Sequence, residues 1–132
     1  RLVTDLLAGL LESEQRSGAA ADRRIVQAGW ELIDGYAAKG LRVQDLAARI
    51  GVGPEHLARV FRRYEDCTPQ EAIASVRMQH AAARLVRERL PVKAVASEMG
   101  YATASHFSRA FKRVFGVTPA QFQRSGWEAW LP

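Results

Sequence analysis

The chain contains the same helical pattern twice, and this internal repeat constrains its fold more than any other feature. Residues 43–51 match residues 92–100 at an offset of 49 positions. After one inserted residue the offset becomes 50, and residues 56–63 then match residues 106–113. Agreement over so many positions indicates two copies of one structural unit.

Each copy is predicted to be two short helices joined by a tight turn. An apolar stripe at helical spacing opens each copy, formed by Val43, Leu46, Ala47 and Ile50 and then by Val92, Val95, Ala96 and Met99. Gly51 and Gly100 follow where a helix needs a left-handed residue to stop. Pro54 then suits the first turn of the next helix. This is the helix-turn-helix layout, whose second helix offers an exposed face to the major groove of DNA.

The second helix of each copy, predicted at residues 54–64 and 104–115, has an apolar and a polar face. The apolar positions are expected to pack inward: Leu57, Val60, Phe61 and Tyr64, then Phe107, Ala110, Phe111 and Val114. The opposite faces carry Glu55, Ala58, Arg59 and Arg62, then Ser105, Ser108, Arg109 and Lys112, with Ala104 at the leading edge. Two functions fit exposed faces of this kind: DNA binding, or a helical protein-interaction or adaptor module. The second has no need for basic side chains at equivalent positions of the two copies, so the pattern favours DNA binding.

Helical periodicity extends over the rest of the chain, and strand patterns are scarce. Thr-Pro pairs at 68 and 118 begin further helices, each with Glu or Gln three residues after the Thr in a capping-box pattern. No helix breaker lies between Pro69 and about Arg89, which predicts one long helix joining the units. About 20 residues at ~1.5 Å each span roughly 30 Å, which suits successive major grooves ~34–36 Å apart.

The sequence therefore predicts an all-α fold, with two helix-turn-helix subdomains at about 42–64 and 91–116. A linker helix at about 69–89 joins them, making about seven helices, and an N-terminal leucine-rich helix is added. Aromatic residues on apolar stripes are expected to anchor the core, namely Trp30, Phe61, Phe111 and Phe115.

The domain boundaries are expected near residues 22 and 125. Residues 1–22 are interpreted as the remnant of an upstream domain, with a stripe of Leu6, Leu7, Leu10 and Leu11 followed by a linker from Ser17 to Asp22. The stripe either ends a dimerisation or sensor domain or packs on the core. Residues 23–125 hold both units, and residues 126–132 form a tail in which Trp127 and Trp130 have no assigned role. The chain begins at Arg1, so a longer protein is expected.

Composition favours a polyanionic partner and offers little support for other functions. Nineteen Lys and Arg against 14 Asp and Glu give a formal charge of +5 and a pI of about 10.0. The single Cys67 allows no intramolecular disulfide, and no apolar run approaches the ~18 residues of a membrane span. His56 and His106 recur at matching positions, but without Cys or His partners at ligand spacing. We expect no metal, no cofactor, no membrane partner and no enzyme activity.

From about Arg23 to Arg124 the chain resembles the AraC/XylS family of transcription regulators. The most specific stretch is residues 100–119, where Tyr101 follows the turn glycine and the run FKRVFGVTP closes the motif. Residues 46–51 and 57–63 resemble the family's first unit. The chain departs from the family at residues 65–67, where Glu-Asp-Cys stands in place of a glycine commonly found before a Ser/Thr-Pro pair.

The resemblance implies a seven-helix, two-lobed, sequence-specific DNA-binding domain of a cytoplasmic, nucleoid-associated transcription regulator, with activation as the expected effect. It also implies double-stranded promoter or operator DNA as the partner, with RNA polymerase as a further partner. A separate sensor or dimerising domain, most often N-terminal, would allow a homodimer. The side chains nearest the bases would be Glu55, Ala58 and Arg59 in the first unit, and Ala104, Ser105, Ser108 and Arg109 in the second.

Each candidate contact has a simpler alternative. Arg59 and Arg109 are expected to fork onto guanine, although Glu55 lies one turn before Arg59 and competes for it. Glu55 itself either accepts a hydrogen bond from cytosine N4 or is a helix-start carboxylate that the dipole favours. Phosphate contacts, or else a solvated charged face, are expected of Arg62, Arg63, Lys112 and Arg113. For Cys67 an inert thiol is favoured over a redox switch.

Overall fold

The computed structural model describes the backbone of residues 2–126 and the side chains of residues 16–126. This part of the chain folds into seven α-helices without a strand, so the all-α prediction is confirmed. The helices are α1 (Leu2–Tyr36), α2 (Val43–Ile50), α3 (Pro54–Glu65), α4 (Pro69–Arg87), α5 (Val92–Glu98), α6 (Ala104–Phe115) and α7 (Pro119–Ser125). A 3₁₀ turn, Ala37–Lys39, lies between α1 and α2.

The N-terminal helix is not separated from the first helix of the double unit. The expected linker from Ser17 to Asp22 is wrong, because these residues are helical and continue α1 for 35 residues without a break. Three consecutive alanines, Ala19 to Ala21, are the best helix formers, and they outweigh the ~1 kcal/mol cost of one glycine. The leucine stripe at residues 6–11 lies outside the described side chains, and Trp127 and Trp130 lie outside the described residues. The domain boundary near residue 22 stays a prediction.

Two hydrophobic cores form, one in each unit, and α4 contributes to both. The first core gathers residues from α1, α2, α3 and the first half of α4, including fully buried Ile33, Leu46, Leu57 and Phe61. The second gathers residues from α5, α6, α7 and the second half of α4, including fully buried Leu85, Val95, Phe107 and Phe111. The expected linker helix therefore exists and is also part of each core, which fixes it to both units.

Left-handed residues end the helices where the glycine pattern predicts. Gly51 has φ of 90°, and Gly116 has φ of 77°. In the first copy the position of Gly116 is taken by Asp66, which has φ of 55° and still ends α3. Aspartate tolerates this conformation better than most non-glycine residues, so the departure from the family pattern at residues 65–67 leaves the helix ending intact.

One expected core residue is exposed. Val114 keeps 42% of its surface accessible, so its inward placement was wrong. Phe115, one position later, packs against the second core as predicted: its ring centroid lies 4.6 Å from that of Phe111 and 5.2 Å from that of Phe122. Because Phe107, Phe111 and Phe115 follow each other at i, i+4 and i+8, they form one stripe that leaves Val114 beside the core.

Candidate nucleic-acid interface

The two turns hold their helices by similar backbone contacts. In the first, the N–H groups of Gly51 and Val52 both donate to the carbonyl of Ala47, at 2.9 and 3.0 Å. In the second, the N–H of Tyr101 donates to the carbonyl of Ala96 at 3.0 Å. Each turn thus brings in a second helix at a fixed angle to the first. We call α3 and α6 the recognition helices.

The outer face of α3 is open to solvent at the predicted positions. Glu55, Arg59, Arg62 and Arg63 are exposed, and Ala58 is half-buried. Leu57, Val60 and Phe61 on the opposite side are buried. The Arg63 guanidinium lies 5.8 Å from the ring centroid of Tyr64, a weak cation–π contact that leaves the group accessible. The face is therefore available to a partner as the spacing predicted.

The outer face of α6 is open in the same way. Ser105, Arg109, Lys112 and Arg113 are exposed, while Ala104 and Ser108 are half-buried. Thr103 caps the helix by accepting the N–H of His106 at 3.2 Å, which leaves the first helical turn well ordered. Phe107 and Phe111 anchor the inner side at full burial. The two recognition helices thus present comparable surfaces.

Arg59 has a partner that the sequence reasoning missed. Its terminal nitrogen lies 3.3 Å from Nδ1 of His56, within hydrogen-bond distance. Glu55, the expected competitor, forms no ion pair with Arg59 in the described residues. The spacing of three residues along a helix was the available signal for the His56 contact. The equivalent pair in the second copy, His106 and Arg109, shows no such hydrogen bond among the described side chains.

The positive charge concentrates on the recognition helices. On α3, three arginines stand against Glu55 and Glu65, a net +1. On α6, Arg109, Lys112 and Arg113 stand without an acidic residue, a net +3. Together they hold four of the five excess charges of the chain. Helix α6 has the highest net charge of the seven helices, above the +2 of α4 and the +1 of α3, so a polyanion meets the strongest helix charge at α6.

The described residues contain no cluster of three or more His, Cys, Asp or Glu side chains suited to a metal ion. Within the same part of the chain, no helix combines the length and apolar character needed to cross a membrane.

Comparison with known proteins identifies the family. A family model described as a helix-turn-helix domain matches residues 46–125, more than half of the chain. The regulatory protein SoxS of Salmonella typhimurium is 31% identical over 101 residues, which cover 76% of this chain and 94% of SoxS. A solved AraC-type DNA-binding regulator from Chromobacterium violaceum shares the fold, with a TM-score of 0.73 and 21% identity over 80% of this chain and 95% of that one. The chain belongs to the AraC/XylS family.

Membership of the AraC/XylS family assigns this chain a sequence-specific DNA-binding domain of a transcription regulator. The transcriptional activator RclR of Escherichia coli is 37% identical over 81 residues, which are 61% of this chain. That match covers 28% of RclR, so the chain spans only a minor part of this relative. The predictions of family, fold and regulator class are confirmed, while the individual DNA contacts stay predictions.

Proposed function

We propose that this chain binds double-stranded promoter or operator DNA by placing α3 and α6 in successive major grooves. The observation that carries the proposal is the matched pair of exposed, basic recognition faces, each supported by its own core. The 19 residues of α4 span about 28 Å at ~1.5 Å per residue. That length suits grooves ~34–36 Å apart on one side of the duplex.

The base contacts are assigned to the exposed face near the start of each recognition helix. Arg59 and Arg109 fork onto guanine O6 and N7, and Glu55 accepts from cytosine N4. Small side chains complete the two faces by close approach to base edges, namely Ala58, Ala104, Ser105 and Ser108. Phosphate contacts, which position the domain without reading sequence, are assigned to Arg62, Arg63, Lys112 and Arg113.

The remaining partners follow from the family and from the relatives. RclR is named a transcriptional activator, which supports activation as the effect of this chain, and we propose RNA polymerase as a further partner. We also propose a homodimer, formed through an upstream sensor or dimerising domain of the complete regulator. Because the target is chromosomal DNA, the regulator acts at the nucleoid in the cytoplasm, and its binding to DNA needs no catalytic step.

Selection from a random double-stranded DNA library tests the proposal directly. We expect an enriched motif of two boxes about one helical turn apart. Arg59→Ala should relax the preference at one box and Arg109→Ala at the other, each with a loss of ~1–3 kcal/mol of discrimination at the affected base pair. Arg24→Ala, a change of an exposed arginine on α1, is the matched control and should leave both boxes intact.

Two other outcomes carry distinct meanings. One enriched box that depends on Arg109 alone would show that the first unit only positions the domain, against the two-box proposal. No enriched motif, together with weak binding that salt does not affect, would contradict DNA recognition and favour a helical protein-interaction module.

A further inference from the structure

Helix α4 is the only helix in the described residues with substantial packing on helices of both units. It leaves the first core after Val76 and enters the second core at Met78. The 3₁₀ turn is divided in the same way, because Ala37 is buried in the first core while Ala38 packs against the second. The two units therefore meet where the middle of α4 lies against this turn.

Arg77 stands at this junction and ties the two elements together. Its Nε donates to the carbonyl of Ala37 at 3.0 Å, and a terminal nitrogen donates to the carbonyl of Leu41 at 3.4 Å. These carbonyls lie 40 and 36 residues away in sequence, respectively, and flank the left-handed Gly40. One planar guanidinium thus fixes the end of the 3₁₀ turn in both position and orientation.

Arg84, two turns later on the same face of α4, makes the corresponding contact with the second unit. A terminal nitrogen of its guanidinium lies 2.8 Å from the carboxylate of Glu98 at the end of α5, and its Nε lies 3.5 Å from that of Glu88. Gln123 of α7 adds two bonds, donating to the carbonyls of Leu85 and Leu90 at 3.0 and 2.6 Å. Polar contacts therefore join α4 to each unit.

Apolar packing holds α4 in both cores, and directional polar contacts act beside it at the junction. At the junction the buried α4 side chains are Val76, in the first core, and Met78, in the second, and their hydrophobic contact is non-directional. A groove of about 530 Å³ also separates Leu41–Gln44 of the first unit from Tyr101 of the second beside Arg77. Beside this groove the Arg77 guanidinium holds α4 to the carbonyls of Ala37 and Leu41.

We propose that Arg77, assisted by Arg84, determines the spacing between the two DNA boxes that this domain accepts. This inference rests on the proposed function, since it concerns how α3 and α6 are held apart. Inserting one base pair moves the second box by ~3.4 Å and turns it by ~35° about the duplex axis. A rigid junction rejects such a site, while a loosened junction tolerates it. Arg77 and Arg84 are positioning residues and make no DNA contact in this scheme.

The test compares affinities for the selected site and for sites with one base pair inserted or removed between the boxes. We expect the unmodified protein to bind altered sites about tenfold more weakly, and Arg77→Met to reduce this penalty below about threefold. Arg77→Lys, which keeps the charge but has a single donor nitrogen in place of the planar fork, should fall between them, and Arg84→Met should give a smaller change than Arg77→Met. Arg87→Met is the control, because Arg87 is an exposed cation on the same helix and loses the same charge.

A second measurement makes the inference independent of DNA. Spin labels at Ala48→Cys and Ser97→Cys, which are exposed and equivalent in the two copies, report the distance between the units in a Cys67→Ser background. We expect a single narrow distance distribution that Arg77→Met broadens and Arg87→Met leaves unchanged. Thermal melting curves should show that both variants are folded. An unchanged distribution and an unchanged spacing penalty in Arg77→Met would overturn the inference. A protein that selects no two-box site would instead contradict the proposed function, while the distance measurement would still decide the role of Arg77.

Discussion

At the scale of single residues, Arg59 and Arg109 occupy the same position in the repeat but differ in surroundings. His56 holds Arg59 through the 3.3 Å contact, which restricts the guanidinium before DNA arrives. Such restriction lowers the side-chain entropy that Arg59 loses on binding to DNA. Arg109 is exposed on a helix without acidic residues. The guanidinium of Arg59 in the first unit is therefore more ordered before binding, whereas Arg109 in the second unit lies in a more positive electrostatic potential.

The Cys67 thiol is a residue whose surroundings predict its reactivity. Burial raises its pKa above the ordinary value, and the nearby carboxylates of Glu71, Glu65 and Asp66 raise it further. Because the thiolate is the reactive form, Cys67 should react slowly at neutral pH. These surroundings support the inert thiol over the redox switch.

We expect the alkylation rate of Cys67 in the folded protein to rise with pH along a curve whose midpoint lies above that of the urea-unfolded chain. Glu71→Gln should move the midpoint downward, because it removes the larger carboxylate contribution. Because its pKa is raised in the folded state, the Cys67 thiol also makes the free energy of unfolding depend on pH. Its contribution to that free energy is fully present below the unfolded-state pKa of ~8.5 and is lost as pH rises through the folded-state pKa. Cys67→Ser should therefore lessen the loss of stability in alkaline buffer. A folded-state midpoint at or below the unfolded one would contradict this prediction.

At the scale of elements, the packing of α1 on α3 depends on one glycine. Gly29 is buried, and a Cβ there would lie 2.9 Å from Cζ and 3.0 Å from Cε2 of Phe61. The Phe61 ring is fully buried and also contacts Trp30, with ring centroids 5.8 Å apart. The ring has little room to move, so the close approach of the two helices requires glycine at this position.

We expect Gly29→Ala to lower the free energy of unfolding by about 1–2 kcal/mol, because overpacking outweighs the gain in helix propensity. Gly35→Ala on the same helix is the matched control. A Cβ at Gly35 meets no atom within 4 Å, so this change should raise the free energy of unfolding by up to about 1 kcal/mol. Chemical denaturation of both variants gives the comparison. Equal stabilisation by the two substitutions would show that the α1–α3 contact is looser than described.

The elements also show what sequence reasoning reached and what it missed. The repeat and its stop glycines placed α3 and α6 within a residue of their observed bounds, because apolar spacing and left-handed turns are local properties. Two local predictions were wrong. The linker expected at residues 17–22 is helical, because its alanines favour a helix. Val114, expected in the core, is exposed, because the stripe of Phe107, Phe111 and Phe115 faces the core. The Arg77 contacts join residues at least 36 positions apart, and no local pattern reports them.

At the scale of the whole molecule, charge placement supports the function more strongly than net charge does. The total of +5 alone is compatible with many proteins. However, α3 and α6 together carry a net +4, and the rest of the chain sums to +1 because the acidic α1 offsets the basic α4 and other basic residues. The exposed faces of the candidate site were predictable from helical spacing. Which base pairs they read was not, because that depends on a DNA surface absent from the sequence.

This distribution predicts how salt will affect DNA binding. With ~6–8 phosphate contacts, the slope of log affinity on log salt concentration should lie near −5 to −7. Lys112→Ala and Arg113→Ala should each reduce the magnitude of the slope by about 1 and weaken binding to all sequences alike. Arg24→Ala, an equal loss of charge on α1, should leave the slope unchanged. If all three variants changed the slope equally, binding would depend on net charge rather than on the recognition faces, and the assignment of phosphate contacts to α6 would be wrong.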